Sequence, residues 1–408
     1  MSEDLVIEAA RYLTTENGAR LLDSLASVPG ESDRARRIER AVPGDIALRR
    51  LALSVVATRR KATERFGAMP PFVAGLLFTE EMLAQASSPG IARYHARGLS
   101  SLRTVSDLGC GAGIDSIAIA SAGARVLAVE SHPVHRIFAR YNATLCGVAD
   151  RIEFREGDAL ETPPETEGVF ADPARRDRIG NRVSRHADLY SPSPDRLAER
   201  IRAARGGCLK LSPLLPDDYL LSLGGRVAFL SEGRECKEAC VWFGDAGPTA
   251  DPVSAQFVET GEVVTPNGAF ADVRPVGAWV LEPDPAVIRA GTIAGVAERL
   301  NAGLVSPEDV YLTADRETNS PLARAYAVLA VLPFRRKEVA AFVRKANYGR
   351  VIVKKRRARM EPDAVLAEIK ASNRGPEPEV FLILVREPAG HTAIFCTRPV
   401  PESADAHL

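Results

Sequence analysis

Apolar residues recur at spacings of three and four through the first hundred positions, with few β-branched runs and with Pro43-Gly44 and Pro70-Pro71 as breaks, which predicts a helical domain over 1–100. The period then shortens. From 101 to 246 brief apolar runs alternate with helical stretches, and strands are expected at 104–108, 125–129, 151–155, 169–171, 207–211, 226–230 and 239–243. Such alternation builds a mostly parallel sheet with helices on both faces, an α/β architecture. Beyond Asp251-Pro252 the runs shorten (256–260, 278–281). A turn at Glu282-Pro283-Asp284-Pro285 then precedes an expected helix to Leu300 and a strand at 310–313, so 247–322 reads as a connector with a small α+β unit. Residues 323–398 read as strand, helix, strand, helix and a two-strand meander turning at 387–391, a compact α+β module whose tail after Pro399 is expected to be loose.

At 408 residues the chain can bury more than one core. Its 53 Lys plus Arg balance 53 Asp plus Glu, so attraction to a polyanion has to come from local patches rather than net charge. The six cysteines (110, 146, 208, 236, 240, 396) form no C-x-x-C pair, and no histidine lies near Cys236 and Cys240 in sequence to complete a zinc set, so no metal site is expected. The N-terminus has neither a basic region nor a long apolar run, and no stretch reaches membrane-spanning length. This usage suits a reducing cytoplasm, with no membrane contact and no obligate protein partner evident.

The run Val105-Ser106-Asp107-Leu108-Gly109-Cys110-Gly111-Ala112-Gly113 is a buried-strand pattern ending in glycines that permit a tight turn and close backbone approach, and helical spacing resumes at Ile114. Glu130, at the end of the next strand, stands where a βαβ unit presents a carboxylate to ribose hydroxyls. Dinucleotide sites carry a third glycine inside the helix; Ser116 stands there instead, so the pyrophosphate fingerprint is not met. The observed D-L-G-C-G-A-G resembles motif I of class I S-adenosylmethionine-dependent methyltransferases. Further pieces follow in that family's order: Glu130, then Gly157-Asp158-Ala159 after the third strand, then Asp172-Pro173-Ala174-Arg175 after the fourth. The resemblance implies S-adenosylmethionine as cofactor, with Asp107, Gly109, Gly111 and Gly113 on the methionine side, Glu130 at the ribose and Asp158 at the adenine. Cys110, Asp115, Ser131, Ala159 and Asp172 are expected against the cofactor as well.

Methyl transfer from a sulfonium needs a nucleophile in line with the methyl carbon, exclusion of water and an outlet for a proton. In relatives that methylate exocyclic amines the strand-4 motif, D/N-P-P-Y or similar, receives the amine, which assigns the acceptor side to Asp172 and Pro173. Ala174-Arg175 replaces Pro-Tyr, so the aromatic platform for a flat base is missing there. The D-P-P-R variant of uracil-C5 enzymes is similar too, but that chemistry needs a cysteine after strand 5, where Lys210-Leu211-Ser212-Pro213 has Ser212. Lys210 and Ser212 are expected to border the acceptor pocket. Arg175, Arg176, Arg178, Arg182 and Arg185 follow the motif; they suit phosphates, or else form a salt-bridge network with Asp177, Asp188, Glu235 and Glu238. Gln85-Ala86-Ser87-Ser88 fits a helix-capping junction, with cover of the cofactor cleft as the alternative.

Gln85-Ala86-Ser87-Ser88, Asp172 to Asp177, Lys210 to Pro213 and Glu235-Cys236-Lys237-Glu238 together resemble a bacterial group of class I methyltransferases with a helical N-terminal region and a C-terminal THUMP-like domain, a likeness running from about residue 60 to 396. The resemblance implies a Rossmann-like sheet at 101–246, a THUMP-like domain at 323–398 and, since THUMP domains elsewhere bind RNA, methylation of a nitrogen in structured RNA, tRNA or rRNA. The stretch 335–359 is rich in Arg and Lys with Glu338 as its one acid, as phosphate contacts require. Arg175, Arg176, Lys354, Lys355, Arg356 and Arg357 are the expected substrate contacts, and Tyr348 could stack a base. Two other readings remain open: a methyltransferase of a small molecule or protein whose basic stretch is merely solvated, and a non-catalytic RNA-binding protein that retains the fold.

Overall fold

A computed structural model of the chain describes residues 2–66, 75–161, 165–175, 186–248, 250–268, 270–346, 348, 350–369 and 379–398. It divides into two compact units, Met1–Ala228 with Glu238–Pro252, and Phe229–Lys237 with Val253–Leu408.

The first unit opens with helices α1 (Glu3–Leu13), α2 (Glu16–Ala26), α3 (Glu31–Ala41), α4 (Ile46–Phe66), α5 (Glu80–Gln85) and α6 (Pro89–Gly98). Chain punctuation starts them as expected: Thr15 and Thr79 accept backbone N–H bonds at the starts of α2 and α5, and Ser88 does so for α6 ahead of Pro89. The alternation that follows is β1 (Thr104–Leu108), α7 (Ile114–Ser121), β2 (Arg125–Glu130), α8 (Pro133–Leu145), β3 (Ile152–Glu156), β4 (Gly168–Ala171), two-residue strands β5 (Ala174–Arg175) and β6 (Tyr190–Ser191), α9 (Pro194–Ala203), β7 (Gly206–Leu211), α10 (Asp217–Ser222), β8 (Arg226–Glu232) and β9 (Glu235–Gly244). The strand order is β8-β9-β7-β4-β1-β2-β3. From β7 to β3 every pairing is parallel, and β9 runs antiparallel to β7. The order reverses between β1 and β4, so the loops after their carboxyl ends open a crevice there.

The helices before residue 100 do not stand apart as a separate domain. Leu13, Leu22, Leu25, Val55 and Phe78 share one core with Ala112, Val134 and Phe138 of the α/β part. Asn142 on α8, fully buried, accepts from Leu77 N–H (2.8 Å) and donates to the carbonyls of Leu77 (3.1 Å) and Ala112 (3.0 Å). An amide satisfied on three sides in the interior fixes the N-terminal segment against the glycine loop.

The second unit contains β10 (Val253–Phe257), β11 (Val263–Val264), β12 (Trp279–Pro283), α11 (Pro285–Arg289), α12 (Ile293–Arg299), β13 (Gly303–Leu304), β14 (Leu312–Ala314), β15 (Ala323–Pro333), α13 (Arg336–Ala346), β16 (Arg350–Lys355), α14 (Pro362–Glu368), β17 (Glu379–Glu387) and β18 (Gly390–Thr397). The single helix expected after Pro285 is two, broken at Gly291, whose φ of +66° is left-handed. One seven-stranded sheet, β13-β14-β12-β15-β18-β17-β16, takes strands from both the expected connector and the 323–398 module, so the boundary placed at 322 falls inside a single structure. No described helix is long and apolar enough to cross a membrane.

Candidate functional site

β1 delivers Asp107 and Leu108 to its carboxyl end, and the chain then turns through Gly109, Gly111 and Gly113 at φ of +86°, +53° and +76°, left-handed values that suit glycine. A Cβ at Gly109 or Gly111 would meet nothing within 4 Å, so the bare backbone faces open space; at Gly113 it would come within 3.2 Å of Ala139 Cβ, which packs the helix start on α8. Glu130, at the end of β2, accepts from Gly111 N–H (2.9 Å) with one oxygen and from His132 N–H (2.8 Å) with the other. The expected loop and the expected ribose carboxylate are therefore hydrogen-bonded neighbours.

A cleft of about 680 Å³ lies over these groups. Asp107, Gly109, Cys110, Gly111, Asp115, Glu130, Ser131, Asp158, Ala159, Asp172 and Pro173 line it, together with Ser87, Gln85, Glu81, His132 and His135. Gly113 is not a wall of the cleft; it is packed behind the loop. Ser212 is not a wall either. Its backbone N–H donates to Tyr190 Oη (2.9 Å) and its hydroxyl accepts from Leu214 N–H (3.3 Å), so it fixes the turn after β7 instead of bordering an acceptor. The Arg175 backbone pairs with Tyr190 in the β5–β6 ladder, while its side chain and Arg176, Arg178, Arg182 and Arg185 lie outside the described residues.

Beneath the cleft the structure assembles a charge network that crosses the chain. Lys210 Nζ donates to Asp172 Oδ2 (2.6 Å) and to Ser87 Oγ (3.1 Å) and stands 3.8 Å from Glu238. Glu238 in turn faces His95 Nε2 (2.6 Å), and His95 Nδ1 faces Asp115 Oδ1 (2.7 Å). Glu238 therefore belongs to this network; the arginine side chains for which the sequence offered it as a partner lie outside the described residues. The segment does both jobs considered for it: Ser88 caps α6, and Ser87 lines the cleft.

Burial sets the protonation of these groups as much as pairing does. Burial pushes Asp107 up to about 7, with Asp115 adding to the rise and a Ser116 hydroxyl bond (2.5 Å) opposing it. Burial also raises Asp172, against the pull of Lys210. Burial disfavours the Lys210 charge, yet Asp172, Glu238 and Asp115 outweigh it and hold the ammonium protonated. His95, Glu238 and Cys240 offer ligand atoms within 4.8 Å of one another. The 2.6 Å between His95 Nε2 and Glu238 is hydrogen-bond spacing, shorter than the roughly 3.3 Å between two tetrahedral zinc ligands each about 2.0 Å from the metal.

In the second unit the basic stretch is largely answered by carboxylates. Glu282 takes both Lys354 (2.8 Å) and Arg356 (3.0 Å), with Tyr326 Oη also on it (3.1 Å). Lys355 pairs with Glu361, Arg335 with Glu338, Arg336 with Glu368 and Arg350 with Glu379. Arg357 is exposed and its backbone hydrogen-bonds Asp309. Tyr348 packs with Phe342 and Phe395 at the edge of the α13 core, centroids 6.2 and 6.3 Å apart, a contact that accounts for the ring without a base.

A mostly parallel sheet with this strand order and an antiparallel β9, a glycine loop after β1 and an acid after β2 at one crevice define a class I methyltransferase. Family models agree on both parts: "RNA cap guanine-N2 methyltransferase" matches 102–194 and "THUMP domain-like" matches 323–398. An uncharacterised S-adenosylmethionine-dependent methyltransferase of Mycobacterium tuberculosis, strains H37Rv and CDC 1551 / Oshkosh, is 29% identical over 349 residues, 84% of this chain and 94% of that protein. A solved Porphyromonas gingivalis W83 protein assigned as a methyltransferase shares the fold, with a TM-score of 0.71 and 19% identity over 98% of this chain and 100% of that one. The chain is a class I S-adenosylmethionine-dependent methyltransferase with a C-terminal THUMP-like domain.

Proposed function

We propose that the protein methylates a nitrogen of structured RNA, tRNA or rRNA, with Asp172 receiving the acceptor amine. The observation that carries this reading is the placement of Asp172 in the same cleft as Gly109, Gly111 and Glu130, with Lys210 bonded behind it. The residues present fit the cofactor: open backbone at Gly109 and Gly111 admits the methionine end, Glu130 has lone pairs left for ribose hydroxyls after two backbone bonds, and the cleft volume suits a nucleoside-sized ligand. S-adenosylmethionine, when bound, supplies an electrophilic methyl group on a sulfonium.

The chain's own residues position and deprotonate. Asp172 accepts a hydrogen bond from the attacking N–H, aligning the nitrogen lone pair, and is the outlet for the proton that the nitrogen sheds. Lys210 favours the ionised form of Asp172 while burial opposes it, so the ion pair and the half-buried position together set how readily this carboxylate takes a proton. Pro173 holds the backbone beyond Asp172, and the Arg-rich segment that begins at Arg175 suits the phosphates of the acceptor strand. The RNA cap guanine-N2 methyltransferase model that matches 102–194 supports RNA as the substrate class, and the THUMP-like match over 323–398 is in keeping with it.

The pairing of Lys354, Lys355 and Arg356 with Glu282 and Glu361 favours a second reading, transfer to a small molecule or protein, because cations committed to internal acids give less to phosphates. Mass spectrometry of nucleosides from tRNA and rRNA of cells with and without the protein decides between them. The first reading expects one methylated nucleoside to vanish with the protein; an unchanged profile favours the second.

A further inference from the structure

We propose that His95 is a positioning residue of the methyl-transfer site, a doubly hydrogen-bonded imidazolium between Asp115 and Glu238 that keeps Lys210 seated on Asp172. The inference rests on the reading of Asp172 as the acceptor carboxylate. His95 touches neither the cleft nor any expected substrate, and it is fully buried.

Both ring nitrogens face carboxylate oxygens, at 2.7 and 2.6 Å. A neutral imidazole has one N–H and one lone pair, so it can satisfy one carboxylate and must repel the other; only the cation donates to both. The groups packed around the ring are Asp115 from α7, Glu238 and Cys240 from β9 and Tyr94 from α6 itself, with the Phe170 ring 4.9 Å away; Cys208 and Lys210 of β7 stand beside Glu238 and Cys240 and not on the ring. Burial opposes the charge on His95, but the Glu238 and Asp115 carboxylates outweigh it and hold its pKa well above the ordinary imidazole value. Asp115 and Glu238 are correspondingly held below the ordinary carboxylate range by His95, against their own burial.

The network closes into a ring. Lys210 donates to Ser87, Ser87 is bonded to Asp115, Asp115 to His95, His95 to Glu238, and Glu238 faces Lys210 at 3.8 Å; Asp172 is the branch that reaches the cleft. Two cations thus serve three carboxylates. Without the imidazolium, Glu238 and Asp115 are stranded in the interior and compete with Asp172 for the single remaining cation, because an unpaired buried carboxylate is strongly disfavoured. Lys210 then leaves Asp172 for Glu238, and Asp172 takes up a proton and no longer accepts the amine.

The test uses the full chain in two measurements. Ring-nitrogen NMR of histidine-labelled protein from pH 6 to about 9, with H95Q supplying the assignment, should show both His95 nitrogens protonated throughout, well past the usual imidazole value. A neutral single tautomer at pH 8 would overturn the proposal, as would one equivalent of tightly bound zinc that H95Q loses, since His95 would then be a ligand. The second measurement is methyl transfer to RNA purified from cells lacking the protein. H95Q should lose roughly 30-fold or more in kcat, and H95Q/E238Q, which removes the stranded carboxylate that faces Lys210 and leaves only Asp115, should regain at least about 5-fold of it. Losses that add in the double variant contradict the proposal and mean that His95 only packs. Wild-type protein that binds S-adenosylmethionine but methylates none of this RNA counts against the RNA reading, and the ring-nitrogen spectrum then decides the role of His95 by itself.

Discussion

Glu130 accepts the backbone N–H of Gly111 at 2.9 Å, so the acid of the second strand and the glycine loop of the first are one structural unit. Its other oxygen holds the His132 N–H, which leaves the outer lone pairs for a diol. Replacing Glu130 by Gln turns one oxygen into a donor that faces an N–H or the ribose hydroxyls. Hydrogen bonds to charged groups contribute about 1.5–3 kcal/mol, so E130Q should weaken S-adenosylmethionine binding on the order of 10- to 100-fold by calorimetry. An unchanged Kd would place the ribose elsewhere.

Asp107 gives the cleft a pH dependence. Its folded pKa of about 7 lies above the ordinary 3.8, so the folded chain binds a proton that the unfolded chain has lost between those values. The contribution of Asp107 to stability is therefore complete below about pH 4 and is lost as pH rises through 7. A cationic ligand favours the ionised form, so binding of S-adenosylmethionine should release a proton and tighten as pH rises through neutrality. Calorimetry in buffers of different ionisation enthalpy should detect that proton in wild type and not in D107N.

Asp172 and Lys210 separate binding from chemistry. D172N keeps the shape of the cleft wall but removes the proton acceptor; it should leave S-adenosylmethionine affinity within about 3-fold and lower methyl transfer by about 100-fold or more. K210M should resemble it in rate and, in addition, lose thermal stability, because Asp172 is left without its cation and Glu238 keeps only His95. Equal losses in cofactor affinity and rate for D172N would move Asp172 from the acceptor to the cofactor.

The second unit predicts an uneven basic stretch. Lys354 and Arg356 share the nearly buried Glu282, so K354A should mainly lower the melting temperature. R357E and R359E, at exposed positions, should instead weaken RNA binding and flatten its dependence on salt, by a slope of roughly 1 per lost phosphate contact. Fluorescence polarisation against salt concentration measures both variants, and equal slopes in all of them would remove this surface from RNA binding.

The sequence made local matters legible. β1, β4 and β7 end within a residue of expectation because apolar runs bounded by glycine and acid carry their own limits, and the glycine loop, Glu130, Asp158 and Asp172 share a cleft because strand order brings carboxyl ends together. What stayed hidden is non-local. His95 and Glu238 are 143 positions apart, and nothing in either neighbourhood marks a buried pair; a histidine at an apolar helical position was the one signal that could have been followed. Lys354 looks free in a run of cations because its partner Glu282 is 72 residues upstream, in an acidic-proline turn that reads as a linker. Ser212 holds the place of a nucleophile in a motif, yet its hydroxyl is spent on the next turn.

The most direct measurement is a calorimetric titration of the full chain with S-adenosylmethionine, in wild type and in Gly111→Val. Gly111 has a left-handed φ of +53° that a β-branched residue resists, and its N–H binds Glu130, so the variant should lose loop geometry and ribose grip together. The account predicts one site per chain in wild type and no measurable heat in a Gly111→Val protein with unchanged circular dichroism. A wild type that gives no heat, or a variant that binds equally well, would contradict the placement of the cofactor between residues 109–113 and Glu130.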